Sequence, residues 1–434
     1  MSDAGRNEHL YQEAVKNVRG RGSAADWYGL GCLLMGMGRG ALGSAAGCFA
    51  RCVELEPGVF RGWANLGWCL HLGGRSKEGA WALRKALDVE PGEGKPHALL
   101  SQIELLMGMG GIAIAEARDA VELGPNDPDA HLALAFALAR SGEWGEAWRE
   151  YEWRFMGRIP EFRTRPYRLW RGERVGHLYI EGEQGAGDAI FALRWVAEAA
   201  ERADKVTLYI HQSLYSLANN ACGLPSNVEV LPMPRPLPVA DAWIPMMSLP
   251  AAVERGEPFF PGLSYVDPGI CVGYDLRSDK PTRKVAIAWS GDPTHEQAEH
   301  RDCPLAEFLR LSEIPGVRLH SVQVGAGQNQ FAELGCYGLI EDREPEITNF
   351  EDTARVLGGM DLVVCVDTAV GHLAGAMGVP CWLLVSRRGQ DFRLGMEGEK
   401  TGWYPGHRLF RRGADEGWGA VLERVAAELR GLAG

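Results

Sequence analysis

The sequence has no long apolar run that could cross a membrane. No stretch approaches the roughly 18 to 20 apolar residues that a spanning helix needs. The first residues, Met1–Glu8, are polar and lack the apolar core of a signal peptide. We therefore expect no membrane span and no secretion signal.

Paired cysteines are also missing. The ten cysteines are scattered along the chain, and none forms a C-x-x-C pair. Cys48 and Cys52 would lie one helical turn apart, but no second pair of Cys or His completes a zinc-binding set. Several others sit in apolar runs, where a free cysteine behaves as a small hydrophobic residue. The pattern predicts no metal site and a reducing, cytoplasmic location.

The chain has no excess of positive charge. Its net charge is −12, whereas nonspecific nucleic-acid binding depends on neutralisation of phosphates by Lys and Arg. One local basic cleft stays possible, because seven arginines are concentrated in one stretch: Arg154, Arg158, Arg163, Arg165, Arg168, Arg171 and Arg174. We favour salt bridges at a domain junction over a DNA-binding surface for this stretch.

With 434 residues, the chain is too long for one ordinary hydrophobic core, so two or three domains are expected. The pattern is helical up to about residue 160 and alternates between short strands and helices afterwards. We expect a helical repeat domain over 1–160, a first α/β lobe over 161–275 and a second over 276–434.

The N-terminal part contains an internal repeat. Pro57, Pro91 and Pro125 are 34 residues apart, and each closes a segment in which small residues alternate with large ones at helical spacing. The first unit carries two extra residues in its hairpin turn. Four units over residues 24–158 resemble the tetratricopeptide repeat (TPR). Such hairpins stack into a solenoid with a concave groove, which is either a protein-docking surface or a spacer or dimerisation platform.

The C-terminal part alternates between short apolar β-type runs and helical stretches, which implies parallel sheets. A helix is predicted from Ala189 to Ala203 and another near Phe350 to Gly358. Strands are predicted at Leu178–Ile180, Val206–Ile210, Val228–Leu231, Ala242–Pro245, Val285–Trp289, Val317–Gln323, Leu362–Val366 and Cys381–Val385. Two such α/β units, joined near residues 262 to 283, would face each other across a cleft.

The most informative segment is 363–385, which reads as strand, helix and strand. The polar residues Asp367, Thr368, Gly371 and His372 come at the carboxyl end of the first strand and the amino end of the helix. Free N–H groups and the helix dipole favour phosphate at such a place. In open α/β sheets, ligands bind at the carboxyl ends of the strands. The segment predicts a phosphorylated ligand, most simply a nucleotide.

A glycine-rich loop, G-E-Q-G-A-G-D at 182–188, stands between the first strand of the α/β part and its helix. By itself it is consistent with a tight turn, and Asp188 with a helix-capping carboxylate. On the lip of a cleft, Asp188 could instead accept a proton from an attacking hydroxyl.

Several motifs together carry a family resemblance. They are YEWRF (151–155), GEQGAGDAIFALRWV (182–196), IPMMSLP (244–250), VAIAWSGDP (285–293), HRDCPL (300–305), DTARVLGGMDLVVCVDTAVGHLAGAMGVPCWLLV (352–385) and WYPGHRLFRR (403–412). In this order they resemble bacterial TPR glycosyltransferases. The catalytic half of that family is similar to the heptosyltransferases and, more distantly, to the protein O-linked N-acetylglucosamine transferase.

The resemblance implies an α plus α/β protein, in which a TPR solenoid precedes a GT-B type pair of Rossmann-like lobes. It also implies a nucleoside-diphosphate sugar as substrate, held mainly by the second lobe, with no cofactor and no essential metal. Asp188 falls on the position of the general base. The residues expected to bind the sugar nucleotide are Gly185, Gly187, Trp289, Ser290, Gly291, Arg301, Gln323, Asp367, Thr368, Ala369, Gly371 and His372.

Some of these assignments have simpler alternatives. Trp289 could be a core residue, Gln323 an ordinary side chain at a strand end, and His372 a histidine at a helix start without a ligand. The sequence also departs from the family pattern at Asp302, where a small hydroxyl residue is usual, and in the segment from Asp391 to Leu394, which is usually more aromatic. The donor nucleotide and sugar therefore stay open.

Three functions follow, in order of preference. The first is an inverting glycosyltransferase acting on an acceptor hydroxyl, with an acceptor protein docked by the repeats. The second is a non-catalytic TPR scaffold that binds a nucleotide or is inert. The third is glycosylation of a modified base in DNA, which the acidic net charge disfavours. The sequence leaves the acceptor and the oligomeric state open.

Overall fold

The structure, a computed structural model, describes residues 3–20, 22–157, 164–233, 236–254, 256–258, 264–267, 269, 282–294, 298–387, 391–413 and 416–433. The chain divides into two compact units, Met1–Arg163 and Thr164–Gly434. The predicted boundaries at 160/161 and 275/276 both fall outside the described residues.

The N-terminal unit is helical throughout its described part. Its helices are α1 (Asp3–Val18), α2 (Ala24–Gly36), α3 (Leu42–Leu55), α4 (Phe60–Leu72), α5 (Ser76–Val89), α6 (Gly94–Leu106), α7 (Gly110–Leu123), α8 (Pro128–Ser141), α9 (Trp144–Tyr151) and α10 (Arg154–Gly157). Consecutive helices pack as antiparallel hairpins, and each hairpin packs on the next.

The helix starts confirm the predicted repeat. Helices α4, α6 and α8 begin at residues 60, 94 and 128, which gives a spacing of 34. The first hairpin is longer, because a 3₁₀ turn at Arg39–Ala41 stands between α2 and α3, as the two extra residues predicted. The prolines at 57, 91 and 125 lie in or beside the turns that link one hairpin to the next.

Glycine allows the two helices of a hairpin to approach closely. A Cβ on Gly67 of α4 would lie 2.7 Å from Leu83 Cγ and 2.8 Å from the carbonyl oxygen of Gly79, both on α5. Gly31 of α2 has the same relation to Phe49 of α3, at 2.7 Å. The small residues of the repeat are therefore required by contact between backbones and side chains.

The C-terminal unit contains two parallel sheets in its described part. The first lobe carries β1 (Arg168–Leu169), β2 (Val175–Glu181), α11 (Ala186–Ala192), α12 (Val196–Ala200), β3 (Ala203–Ile210), α13 (Gln212–Ala221), β4 (Val228–Pro232), β5 (Ala242–Pro245) and α14 (Leu249–Ala252). The second lobe carries β6 (Arg283–Ala288), α15 (Ala298–Arg301), α16 (Leu305–Phe308), β7 (Val317–Ser321), α17 (Asn329–Leu334), β8 (Ile340–Asp342), α18 (Phe350–Gly358), β9 (Leu362–Val366), α19 (Ala369–Met377), β10 (Cys381–Val385), β11 (His407–Arg411) and α20 (Trp418–Ala433).

The strand orders are β1-β5-β2-β3-β4 and β11-β10-β9-β6-β7-β8, and all pairs are parallel. In the first sheet the order reverses between β2 and β5, and in the second between β6 and β9. Ligands of doubly wound sheets bind at the carboxyl ends of the strands at such a reversal. The glycine-rich loop follows β2, and the segment beginning at Asp367 follows β9, so both predicted sites lie at reversal points.

The predicted TPR solenoid and the two Rossmann-like lobes are thus present. One helix prediction needs correction: the segment expected from Ala189 to Ala203 begins earlier, as α11 at Ala186, and a 3₁₀ turn at Leu193–Trp195 separates it from α12. Residue 203 already belongs to β3. The 3₁₀ turn points Trp195 and Arg194 into buried positions, which a straight helix would not place in the same way.

The arginine-rich stretch forms ion pairs inside each unit. Within the described residues, Arg154 pairs with Glu152, Arg165 with Glu181, Arg168 with Glu173 and Arg174 with Asp204. Positions 158 and 163 lie outside the described residues. These pairs favour the interpretation as salt bridges, because they occupy guanidinium groups that a DNA phosphate would otherwise need.

The described cysteines are free thiols, and most of them are buried. Cys365 on β9 and Cys381 on β10 bring their sulfur atoms to 3.9 Å inside the second lobe. No helix within the described ranges is long and apolar enough to cross a membrane.

Substitution of Gly67 by Ala should destabilise the N-terminal unit by about 1 to 3 kcal/mol, because the added methyl group overlaps Leu83 and the Gly79 carbonyl. Gly47→Ala in α3 is the matched control, since nothing lies within 4 Å of its Cβ position. Replacement there should leave the free energy of unfolding unchanged or raise it by up to about 1 kcal/mol. Urea denaturation followed by circular dichroism measures both; equal stabilities would contradict the proposed close approach.

Candidate active site

The amino end of α19 lies at the reversal point of the second sheet. Strand β9 is buried along its whole length and leads into Asp367 and Thr368, and Thr368 is the N-cap residue of α19. The Thr368 side chain makes no capping hydrogen bond to this helix. The Thr368 hydroxyl oxygen is buried and has no hydrogen-bond partner among the described residues. Buried polar groups are normally paired, so this end of the helix has donor capacity left for a ligand.

Asp367 is buried beside the amino end of α19 and binds two neighbouring segments. The Arg301 guanidinium donates to the Asp367 carbonyl oxygen at 2.5 Å and lies 3.2 Å from its carboxylate. The backbone N–H of Asp391 donates to the same carboxylate at 3.2 Å. Asp367 therefore fixes Arg301 and the segment that begins at Asp391.

His372, in the first turn of α19, is buried and has polar neighbours on both ring nitrogens. Nδ1 lies 3.0 Å from the Tyr404 hydroxyl, and Nε2 lies 3.6 Å from the Asp391 carboxylate. These protein partners are compatible both with a ligand-binding histidine and with the alternative of a histidine at a helix start without a ligand. Gly371 lies against the sheet, where a Cβ would be 2.9 Å from Leu383.

The loop after β6 lies beside Thr368 and is held by side chains of its own lobe. The Gln323 amide oxygen accepts hydrogen bonds from the backbone N–H groups of Trp289 and Ser290, both at 3.0 Å. The Trp289 side chain is fully buried in the core of the second lobe. The geometry thus favours the simpler interpretations: Trp289 as a core residue and Gln323 as a side chain that shapes the loop.

The hydrogen bonds of Asp302 explain why an acidic residue stands where the family pattern usually has a small hydroxyl residue. Its carboxylate accepts hydrogen bonds from the Ser290 hydroxyl at 2.8 Å and from the Gly291 N–H at 3.0 Å. A Cβ on Gly291 would lie 3.3 Å from Thr368 Cγ2, so this loop and the start of α19 are in contact. Asp302 keeps Ser290 and Gly291 in place next to the amino end of α19.

The glycine-rich loop of the first lobe meets the amino end of α19 directly. Helix α11 begins after Gly185 and packs against α19. A Cβ on Gly187 would lie 2.7 Å from His372 Cδ2 and 3.5 Å from Ala369 Cα. The two lobes therefore face each other through the starts of these two helices.

Asp188 lies at this junction and has two partners. One carboxylate oxygen accepts the Gly185 N–H at 3.3 Å, which is the capping interaction expected at a helix start. The other accepts a hydrogen bond from Arg393 of the second lobe at 2.6 Å. Asp188 thus caps its helix and also forms an ion pair between the lobes.

Arg393 and Asp391 form a buried pair next to Asp188. The Arg393 Nε donates to both Asp391 carboxylate oxygens, at 2.7 and 2.9 Å. Burial would raise the pKa of Asp391, but the charge of Arg393 and the hydrogen bond with His372 hold this pKa well below its usual range. Burial would lower the pKa of Arg393, but Asp391 and Asp188 raise it well above its usual value. Both groups are therefore charged.

One group of ligand atoms at this site has spacing suitable for a metal ion. Asp367, His372 and Asp391 each place one such atom within 4.8 Å of the others. The Asp391 carboxylate already accepts hydrogen bonds from Arg393, so a cation here would compete with a guanidinium. An ion-pair network accounts for these residues without a metal.

The structure thus gathers most of the predicted residues around one junction. Asp188, Gly185, Gly187, Ser290, Gly291, Arg301 and the segment from Asp367 to His372 lie there. Tyr404 is not among the residues predicted from the sequence, and Asp391 and Arg393 stand out there only as a departure from the family pattern. Their sequence signal was weak: a short D-F-R string and a tyrosine inside an aromatic motif, both far along the chain from Asp188.

Comparisons with known proteins find similarity to a glycosyltransferase family in part of the second lobe. Residues 346–383 match glycosyltransferase family 9 (heptosyltransferase), a segment that runs from before α18 into β10 and includes Asp367 to His372. Protein FlbA of Caulobacter vibrioides is 25% identical over 358 residues, which cover 74% of this chain and 59% of FlbA. The chain therefore spans about three-fifths of the length of this relative.

Solved structures resemble the N-terminal part. The crystal structure of MamA shares 15% identity, with a TM-score of 0.33, and covers 37% of this chain and 94% of MamA. YrrB, described as a TPR protein with an unusual peptide-binding site, shares 19% identity with a TM-score of 0.29, over 34% of this chain and 75% of YrrB. Because both scores are low, the repeat assignment rests on the 34-residue spacing of the helices themselves. The chain combines a TPR array with a region similar to glycosyltransferase family 9.

Two glycines of one loop should respond differently to substitution. Gly187→Ala should destabilise the C-terminal unit by about 1 to 3 kcal/mol, because the methyl group would push α11 away from His372. Gly185→Ala is the control, since its Cβ would meet only the Asp188 carboxylate at an ordinary 3.6 Å. Thermal unfolding of both variants measures the difference. If Gly187→Ala unfolds at the same temperature as Gly185→Ala, the two helices do not touch in solution.

Proposed function

We propose that this protein is a metal-independent inverting glycosyltransferase. It would move a sugar from a nucleoside-diphosphate sugar to an acceptor hydroxyl, with an acceptor protein docked by the TPR array. The observation that carries the proposal is the junction of the two lobes, where Asp188 lies on the helix that packs against α19. The N-cap residue of α19, Thr368, makes no side-chain capping hydrogen bond. A reaction between a nucleophile and a diphosphate ester needs a base and an anion site close together.

In this reaction the acceptor oxygen attacks the anomeric carbon of the donor sugar. A bond forms between that oxygen and the anomeric carbon, while the bond from the anomeric carbon to the β-phosphate oxygen breaks. The proton of the acceptor hydroxyl goes to Asp188, and the electron pair of the broken bond leaves with the nucleoside diphosphate. Attack from the side opposite the leaving group inverts the anomeric configuration.

The diphosphate would be held by the second lobe. The first N–H groups of α19 and the Thr368 hydroxyl belong to the same helix end, and positive partial charge accumulates at a helix start. Arg301 lies next to them through Asp367, and the Ser290–Gly291 loop borders the same place. These groups would stabilise the charge that develops on the leaving diphosphate.

The repeats would supply the acceptor. Stacked hairpins form an extended surface that suits peptide or protein segments. A protein acceptor would therefore bring its hydroxyl group to the lobes while a neighbouring segment binds the array.

A second candidate is a scaffold that binds a nucleotide without transferring a sugar. It is favoured by one observation: Asp188, the proposed base, is engaged by Arg393 rather than free. The Asp188 oxygen that accepts from Arg393 is occupied while this ion pair holds, so activity requires that the pair opens when the substrates bind.

Asp188→Ala should lower the rate of sugar transfer or donor hydrolysis by at least about 100-fold, because the proton of the nucleophile loses its acceptor. The assay uses the full chain with UDP-, GDP- and ADP-sugars. Asp204→Ala is the control, since Asp204 belongs to the same unit and forms an exposed ion pair with Arg174. Equal rates for wild type and Asp188→Ala would remove Asp188 from the mechanism. Nucleotide binding without any turnover would instead support the scaffold.

A further inference from the structure

Arg393 is buried between carboxylates that belong to different lobes. Its side chain is only 5% exposed, and Asp391 of its own lobe is 7% exposed, whereas Asp188 of the other lobe is 22% exposed. Nε donates to both Asp391 carboxylate oxygens, and Nη2 is shared: it donates to Asp391 as well and reaches Asp188 at 2.6 Å. The contact with Asp391 is thus the anchor, and the contact with Asp188 is the one nearer to solvent.

One nitrogen of this guanidinium is unused. Arg393 Nη1 is buried and has no hydrogen-bond partner among the described residues. The rings of Phe191 and Phe392 lie 4.6 and 5.0 Å from the guanidinium carbon, so apolar surface shields the group. An arginine has five N–H donors in a planar fork, and a buried donor without a partner costs free energy.

The anchor of this guanidinium lies close to the amino end of α19. The carboxylate of Asp391 that holds Arg393 is 3.6 Å from Nε2 of His372, in the first turn of that helix. The Thr368 hydroxyl oxygen, at the N-cap of the same helix, is also buried without a partner among the described residues. Two buried groups on different segments near this helix start, where the proposed diphosphate would lie, therefore lack a partner in the described part of the chain.

We propose that Arg393 is an exchangeable counter-ion that binds Asp188 in the free protein and the diphosphate of the donor in the complex. The inference rests on the proposed function and adds how donor binding makes the Asp188 carboxylate available as the base. When the donor binds, the guanidinium stays anchored to Asp391 and turns Nη1 and Nη2 to the phosphates. The Asp188 carboxylate is then released and can accept the proton of the acceptor hydroxyl.

The chemistry of the groups favours this exchange. A guanidinium fork matches two phosphate oxygens in a bidentate arrangement, whereas Asp188 accepts only one hydrogen bond from it. The diphosphate also carries more negative charge than one carboxylate. A base that becomes free only with the donor in place would not bind a proton or a substrate cation prematurely.

Because Asp188 and the diphosphate compete for the Arg393 guanidinium, removal of the Asp188 charge should tighten the binding of the diphosphate. Asp188→Asn removes the competing charge but keeps the shape and an oxygen that can accept the Gly185 N–H. This variant should bind a nucleoside diphosphate about tenfold more tightly than wild type, although its transfer activity is lost. Arg393→Met should bind about tenfold more weakly.

The double variant separates exchange from simple repulsion. If Asp188 only repelled the ligand, removal of its charge would tighten binding equally with or without Arg393. If the two compete through Arg393, the Asp188→Asn substitution should have no effect in the Arg393→Met background, so the double variant should bind like Arg393→Met. This non-additivity is what a double-mutant cycle measures.

The experiment is isothermal titration of the full chain with ADP, GDP, UDP and CDP, followed by the four-protein cycle with the nucleotide that binds. The matched control is the cycle of Asp204→Asn and Arg174→Met, an exposed pair of the same unit with side chains 68% and 71% accessible, which should leave affinity unchanged. Arg393→Lys replaces Arg393→Met if circular dichroism shows that the latter is unfolded; it keeps the charge but loses the fork, and should bind less tightly than wild type.

If wild type binds a nucleotide and Asp188→Asn binds it with the same or a lower affinity, the exchange is overturned and the proposed function stays intact. Equal tightening by Asp188→Asn in both backgrounds would also overturn it, in favour of repulsion. If neither wild type nor Asp188→Asn binds any of the four nucleotides, both the exchange and the glycosyltransferase proposal are contradicted.

Discussion

The close contact between the starts of α11 and α19 sets the geometry of the C-terminal unit. At this contact Gly187 lies against His372 and Ala369, with no room for a side chain. The contact brings a carboxylate of one lobe next to a guanidinium of the other. Because charges away from water are costly unless paired, Asp188, Asp391 and Arg393 form one network. Its members come from segments more than two hundred residues apart, so they meet only when both lobes are folded.

The groups around the amino end of α19 are largely fixed by their own lobe. Gln323 and Asp302 hold the loop after β6, and Arg301 is bound to Asp367. Such support reduces the freedom that a site would lose when a ligand binds. Against this background the buried groups of Thr368 and Arg393 that lack a partner are exceptions. Rigid surroundings with a few unused donors are typical of a preformed anion site.

The burial of apolar faces explains the packing of both the repeats and the lobes. A helical hairpin cannot bury its apolar face alone, so it stacks on the next, and glycines such as Gly67 let the backbones approach. In the lobes, apolar strands such as β9 are covered on both faces by helices. In both units the small residues mark the places where backbones come together. The two units therefore differ in the period of their apolar pattern.

The sequence by itself determined what depends on local pattern. The 34-residue period fixed the hairpins, apolar runs such as Leu362–Val366 fixed the strands, and the strand-to-helix turns fixed Asp188 and the Asp367–His372 segment as site residues. Only the tertiary structure decided which side chains meet. It gave Asp188 the partner Arg393, gave His372 the partners Tyr404 and Asp391, and turned Gln323 and Asp302 to the loop after β6. Periodicity reports how a segment buries its own apolar face. An ion pair between lobes joins segments that are far apart in the chain, and no local sequence pattern predicts it.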